Sequence, residues 1–252
     1  MNPVIAENVA SRRSFQMLRK AISSANDLSN RELLKYANSD AQNIITRHRE
    51  TPESLNFAHI GPSSISGNGV FARTAIESGQ CLGFFPGRCF HPPPPEAVLD
   101  SPKKVPEFYQ SWDHNDKAIN RYDGVLIDAR FFDKPVASER MEFNKAHNKI
   151  AFGHMINHPP KGQTPNVLAF PVEFAHEEIG ENDFIPYENH DLWYYSEEMG
   201  DYVTFPSCMS VKGIGIFSAR HILPEEELFL DYDLKFVPLP EWYHPVYHEN
   251  EE

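Results

Sequence analysis

Hydrophobic residues recur every three or four positions between residues 14 and 50, which predicts helices. Ser29 followed by Glu32 fits a capping box, and Ser14 is placed to cap the first helix. We therefore expect two or three short helices within residues 1–55, packed on the rest of the chain. A separate partner-binding module is the alternative interpretation. The periodic apolar positions are Phe15, Leu18, Ile22, Leu33, Leu34, Tyr36, Ile44 and Ile45.

From about residue 57, short runs rich in Val, Ile, Phe and Tyr are separated by Gly and Pro, a pattern typical of strands. No strand pattern alternates with a long helical pattern, so a doubly wound parallel sheet is not expected. We predict a mainly β domain over 56–236 and a C-terminal tail over 237–252. The candidate strands are Leu55–Ile60, Gly69–Ala72, Cys81–Phe85, Gly124–Asp128, Val167–Val172, Gly215–Ala219 and Leu228–Leu230.

One segment of this β region has an echo later in the chain. The run from Gly67 to Phe71 resembles the run from Gly213 to Phe217, and Ile76 and Ile222 keep the same offset of 146 residues. Two copies are too few for a solenoid. The echo predicts two similar hairpin-like elements within one β domain.

An acidic and aromatic insertion spans about residues 173–207. Its acids lie beside Trp193, Tyr194 and Tyr195. We interpret it as an ordered loop or lid and as a candidate surface for a basic peptide, with a plain solvated insertion as the alternative.

The formal net charge of −13 is unevenly spread, because residues 1–50 sum to +3 and the remainder to −16. Such a body attracts basic peptides and repels nucleic-acid phosphates, or it serves solubility. We expect a protein or peptide partner and no direct nucleic-acid binding. The composition does not indicate an oligomeric state.

Cysteine usage and hydropathy bear on the compartment. Cys81, Cys89 and Cys208 are too few and too scattered for a disulfide framework or a four-cysteine zinc site. An intracellular location, nuclear or cytoplasmic, is therefore expected. No apolar run approaches the roughly 20 residues that a bilayer requires, so no membrane association is expected.

Two segments carry residue types suited to ligand binding. Gly67 and Gly69 flank Asn68, which indicates a tight turn or a close approach of the backbone to a ligand. The missing third glycine argues against a dinucleotide fingerprint. Further along, the Asn157 side chain can accept from an ammonium and donate to a carboxylate.

Two further candidates have competing interpretations. Tyr232 ends an apolar run and is flanked by acids; such a residue is usually half-buried with its hydroxyl bonded locally, or it places that hydroxyl at a reaction centre. His158 follows Asn157, and with His154 and His147 it forms a remote candidate for a metal-dependent hydrolase.

Taken in chain order, these segments resemble the SET-domain protein-lysine methyltransferases, over roughly residues 57 to 235. The matching elements are Gly67 to Ala72, Ile76 with Gly79, Phe85-Pro86-Gly87, Ile127-Asp128-Ala129, Asn157-His158 with Pro165-Asn166, and Arg220, Ile222, Glu226-Glu227-Leu228 and Asp231-Tyr232.

The resemblance implies a SET-domain (β-clip) fold in which the Asn-His and Asp-Tyr segments form a knot-like crossing. It also implies an S-adenosylmethionine-dependent protein-lysine N-methyltransferase, with the cofactor on one face and the target lysine entering a narrow channel from the other.

Site residues follow from the same resemblance. The expected cofactor-binding residues, with main-chain contacts from the glycine turn and amino-acid and adenine contacts from the Asn-His pair, are Gly67, Asn68, Gly69, Asn157, His158 and Tyr232. Tyr232 is the expected catalytic phenol. The expected substrate-channel residues are Phe85, Phe236 and Trp242, and no metal is expected.

The chain departs from the family pattern at several positions. His154 stands where an Arg is frequent, Pro159 and Pro160 replace a Ser-Cys pair, and Phe85 replaces a common channel Tyr. Cysteine-rich zinc-binding flanks are missing from the sequence. The alternative function is a non-catalytic SET-fold module that recognises basic peptides.

Overall fold

The computed structural model describes residues 9–22, 28–90, 117–121, 124–131, 149–175, 186–188, 192–196, 201–205, 210–234 and 239–246. Three residues named above lie outside these ranges: His147, Cys208 and Phe236.

Two helices precede the strands in the described part of the chain. Helix α1 spans Val9–Ala21 and helix α2 spans Asn30–Glu50, whose 21 residues exceed the short helices expected. The capping box is confirmed, because Ser29 accepts from the Glu32 amide and the Glu32 carboxylate accepts from the Ser29 amide. Ser14 lies inside α1, so the prediction that it caps this helix was wrong.

The described strands confirm a mainly β protein. They are β1 (Ala58–Pro62), β2 (Asn68–Ala72), β3 (Cys81–Phe84), β4 (Gly87–Phe90), β5 (Ala118–Asn120), β6 (Leu126–Asp128), β7 (Val167–Ala175), β8 (Tyr187–Glu188), β9 (Leu192–Ser196), β10 (Asp201–Phe205) and β11 (Ser210–Ser218). Strands β1 and β2 pair with each other, as do β9 and β10. The larger sheets have the orders β3-β11-β7 and β5-β6-β4-β8.

Two expectations about strands were wrong. The acidic insertion contains the antiparallel pair β9 and β10, in which Trp193, Tyr194 and Tyr195 lie opposite residues of β10. These residues therefore form strands and not a loop, because aromatic side chains favour a pleated sheet. The run Leu228–Leu230 is not a continuous strand but makes isolated bridges to two separate segments.

Helix α2 covers the three-stranded sheet and accepts a hydrogen bond from each of its two edge strands, β3 and β7. Asp40 accepts a hydrogen bond of 2.6 Å from the Cys81 amide of β3, and Asn38 accepts one of 2.9 Å from the Glu173 amide of β7. Burial raises the pKa of Asp40, although the Cys81 amide acts in the opposite direction. Unpaired edge groups are costly or aggregation-prone. The helices therefore belong to the same hydrophobic core as the strands, which speaks against a separate module.

The sequence echo corresponds to a structural repeat whose two copies bond to each other. Ile76 and Ile222 exchange main-chain hydrogen bonds of 3.0 Å in each direction. The amide of Gly79 donates to Ser218, and the equivalent amide of Glu225 donates to Ala72. Each copy therefore supplies the pairing edge for the other.

The repeat places a glutamate where its counterpart is glycine: φ is +64° at Glu225 and +82° at Gly79. We expect Glu225→Gly to raise the free energy of unfolding by about 0.5–1 kcal/mol, because relief of the left-handed conformation exceeds the added chain entropy of glycine. Urea denaturation measures this. Glu225→Ala is the matched control, since it removes the carboxylate and retains Cβ. A glycine variant no more stable than the alanine variant contradicts the prediction.

Candidate functional site

The site is built around a chain crossing. The Leu230 amide donates to the Asn157 carbonyl at 3.0 Å on one side. On the other side, the Phe229 carbonyl accepts from the amides of Asn166 and Val167 at 3.1 and 3.2 Å. The C-terminal segment is thus held between two segments that are close in sequence to each other. This is the crossing that the resemblance implied.

The side chain of Asn166 clamps the crossing from within the core. Its amide nitrogen donates to the Glu226 carboxylate at 3.1 Å and to the Glu227 carbonyl at 2.8 Å. Its amide oxygen accepts from the Phe229 amide at 2.7 Å. Asn166 is fully buried, so these bonds replace those that water would supply. The motif match included Asn166, but sequence reasoning gave it no role.

Asn157 joins the glycine turn to the crossing. Its Nδ2 donates to the carbonyls of Ser66 and Asn68 at 3.3 and 3.2 Å. The same nitrogen donates to Glu227 Oε1 at 3.0 Å. The Asn157 amide therefore brings together three residues of the family motifs from distant segments, namely Asn68, Asn157 itself and Glu227.

Glycine occupies the two positions of the turn for different physical reasons. Gly67 adopts φ +49°, and no described atom lies within 4 Å of where its β-carbon would be. A β-carbon on Gly69 would lie 2.1 Å from Glu227 Oε1. Gly69 therefore leaves the space that the Glu227 carboxylate fills, while Gly67 faces open space.

His158 is buried and uses both ring nitrogens within the protein. Nδ1 lies 3.3 Å from the Tyr232 amide, which donates to it, and Nε2 lies 2.9 Å from the His244 carbonyl. These partners fit a neutral ring with its proton on Nε2. Asp231 Oδ1 lies 3.8 Å from Nδ1. A cofactor contact by His158 would therefore use its main chain.

Tyr232 is half-buried, and its hydroxyl donates to the Ile156 carbonyl at 2.8 Å. The local hydrogen bond expected of such a tyrosine is thus present. A phenol that donates its proton in this way presents its oxygen as an acceptor. Because Ile156 directly precedes Asn157, one short segment positions both the phenol and the amide.

The segment 239–246 lies against these residues. Tyr243 packs on His158 with ring centroids 4.5 Å apart, and its hydroxyl accepts from the Leu234 amide at 3.1 Å. Trp242 is 54% exposed, with its ring centroid 6.2 Å from that of Tyr232. The structure therefore brings the expected channel residue Trp242 beside the expected catalytic phenol. Phe236 cannot be placed in this way, as it lies outside the described residues.

Phe85 is positioned by a different part of the fold. It directly follows β3, its amide donates to the Ile214 carbonyl at 3.0 Å, and its buried ring lies edge-on to His154 with centroids 6.5 Å apart. Sequence reasoning missed Tyr187 beside it. The Tyr187 hydroxyl donates to the same Ile214 carbonyl and accepts from the Ile214 amide, and burial raises its pKa far above the usual range.

The described residues contain no group of three or more His, Cys, Asp or Glu that could hold a metal ion. None of their helices is long and apolar enough to cross a membrane.

Comparison with known proteins identifies the family. The SET domain family model matches residues 67–233. A search of curated proteins finds no match. Among solved structures, a proposed histone methyltransferase from Plasmodium falciparum is similar to this chain at 12% identity and a TM-score of 0.33, covering 72% of this chain and 96% of that one.

Two structures of KRYPTONITE are also similar, each at 13% identity. The complex with DNA, a histone H3 peptide and SAH has a TM-score of 0.35 and covers 73% of this chain and 25% of KRYPTONITE. The complex with DNA and SAH has a TM-score of 0.36, covering 76% and 26% respectively. This chain thus spans about a quarter of KRYPTONITE's length. The absence of nucleic-acid binding stays a prediction.

Proposed function

Because the chain belongs to the SET-domain family, we propose that it is an S-adenosylmethionine-dependent methyltransferase that acts on lysine side chains of proteins. One observation carries the proposal. The segment Ile156–Asn157 holds the Tyr232 hydroxyl through its first residue and joins the glycine turn to Glu227 through its second. The phenol and the amide that we propose to bind the cofactor are thereby held by two consecutive residues.

The residues at this place fit the cofactor. The Asn157 amide oxygen has no hydrogen-bond partner among the described residues, while its nitrogen is fully engaged. Such an oxygen suits the ammonium of the cofactor's amino-acid end. The exposed turn at Gly67 and Asn68 offers main-chain groups, and the main chain of His158 is proposed to lie against the adenine.

Methyl transfer to lysine gives Tyr232 and the channel residues distinct proposed roles. When bound, S-adenosylmethionine would supply a methyl group on a positively charged sulfur, and in-line transfer of that methyl to a neutral lysine amine would release the sulfur as a neutral thioether. Tyr232 is proposed to orient that amine through its hydroxyl oxygen, which the Ile156 carbonyl holds in place. Phe85, Phe236 and Trp242 are proposed to line the channel and exclude water from it.

Charge supports a basic protein substrate. The chain after residue 50 carries a formal charge of −16, which attracts lysine-bearing peptides. The insertion over 173–207 is proposed to contribute to their binding. We also propose the division into a helical segment over 1–55, a SET domain over 56–236 and a tail over 237–252, with nuclear or cytoplasmic residence.

Labelled S-adenosylmethionine tests this function in a lysate from cells that lack the protein. We expect labelled protein bands whose peptides carry methylated lysine by mass spectrometry, and no such bands without added protein. Cofactor binding with no label transfer to any protein would favour the non-catalytic peptide-binding module. A protein that neither binds the cofactor nor transfers label would contradict the proposed methyltransferase.

A further inference from the structure

Two neighbouring glutamates in the crossing differ in how their charge is balanced. Glu226 is bonded by the Arg220 guanidinium, by Asn166 and by the Leu223 amide. Glu227 accepts from Asn157 through Oε1, and its Oε2 has no hydrogen-bond or ion-pair partner among the described residues. Glu227 therefore brings a negative charge to the glycine turn that no described cation neutralises.

The position of this carboxylate is set by the glycine turn. A β-carbon on Gly69 would lie 2.1 Å from Glu227 Oε1 and 3.1 Å from the Ser63 side chain, so any larger residue would displace the carboxylate. The turn and Glu227 thus form one unit, in which the carboxylate lies over the Gly69 backbone.

Glu227 also fixes which way the Asn157 amide faces. The amide nitrogen donates to three oxygens, those of Ser66, Asn68 and Glu227. A flipped amide would place its oxygen against these three acceptors, which is electrostatically unfavourable. The amide oxygen therefore faces away from them. The Asn157 amide oxygen and Glu227 Oε2 are thus two acceptors without a partner among the described residues, on side chains that are bonded to each other. Acceptors of this kind suit a cationic group with several N–H donors.

We propose that Glu227 is a binding residue for the cofactor's α-ammonium: it supplies the opposite charge and also orients the Asn157 amide. This inference rests on the proposed function, since it names the residue that recognises one part of the same ligand. Charge-assisted hydrogen bonds are about twice as strong as neutral ones, so this contact should account for much of the amino-end affinity.

Calorimetry with two ligands tests the inference. S-adenosylhomocysteine carries the α-amino group, and its deamino analogue is the same thioether without that group. We expect Glu227→Gln to weaken S-adenosylhomocysteine binding by about tenfold or more and to leave deamino-analogue binding unchanged, because glutamine still accepts from Asn157 but carries no charge. Glu226→Gln is the matched control, with no difference between the two ligands.

The other possible results of this calorimetry separate failure of the Glu227 inference from failure of the proposed function. Equal loss of both ligands in Glu227→Gln, or no loss of either, overturns this role of Glu227. A wild-type protein that binds neither ligand contradicts the proposed function instead. If thermal unfolding shows that the glutamine variant does not fold, Glu227→Asp replaces it. Aspartate keeps the charge one methylene further back, so the preference for the amino-bearing ligand should fall, and an unchanged preference overturns the inference.

Discussion

Replacement of Tyr232 by phenylalanine is expected to lower methyl transfer by at least about 100-fold, the contribution typical of a positioned acid–base or orienting group. The change removes the hydroxyl that the Ile156 carbonyl holds and leaves the ring beside His158 and Trp242. Since the contacts to the cofactor's amino-acid and adenine ends are assigned to other residues and the Tyr232 ring is retained, affinity for S-adenosylhomocysteine should stay within about twofold. Label incorporation into protein gives the rate, and calorimetry gives the affinity.

The matched control for this change lies in the neighbouring ring. Tyr243→Phe removes a hydroxyl that accepts from the Leu234 amide, so it too costs one tyrosine-to-main-chain hydrogen bond but leaves the Tyr232 hydroxyl in place. It should lower the free energy of unfolding by about 1 kcal/mol and preserve transfer. An undiminished rate in Tyr232→Phe would remove the phenol from its proposed role.

Replacement of Asn157 by alanine should weaken cofactor affinity by about tenfold or more, because it removes the acceptor assigned to the ammonium. It should also lower the free energy of unfolding by about 1–3 kcal/mol, since the carbonyls of Ser66 and Asn68 and the Glu227 carboxylate lose their common donor. Calorimetry with S-adenosylhomocysteine and urea denaturation measure the two effects.

A second asparagine in the crossing separates stability from binding. Asn166→Ala removes bonds to Glu226, Glu227 and Phe229 that lie wholly within the protein. It should destabilise the fold at least as much as Asn157→Ala, while the protein that remains folded keeps its cofactor affinity. Unchanged affinity in Asn157→Ala would mean that the cofactor pocket is misplaced.

Features governed by local chemistry were predictable from the sequence. The Ser29 and Glu32 capping box forms because both partners lie within one turn of helix, and it needs no tertiary contact. The strand pattern around Cys81–Phe84 and Val167–Ala175 was similarly readable, since buried strands are rich in branched and aromatic residues. The left-handed Gly67 also fits its sequence motif.

Features that join distant segments were not predictable in this way. The bond from Asn157 to Glu227 spans 70 residues, so no local pattern could assign Glu227 its place beside Gly69. The same holds for Tyr187, whose hydroxyl bonds to Ile214 from within an acidic segment. The run at Leu228–Leu230 has strand composition but bonds to two different segments, and composition alone does not distinguish these arrangements.

We propose that the glycine turn, the Asn-His pair and the Asp-Tyr segment enclose one cofactor, and a crystal structure of the full chain with S-adenosylhomocysteine would show whether they do. We expect the ligand's amino end at Asn157, its chain along the turn at Gly69, and its sulfur on the side of the Tyr232 hydroxyl. A ligand bound elsewhere, or one whose sulfur faces away from Tyr232, would rule out this shared pocket.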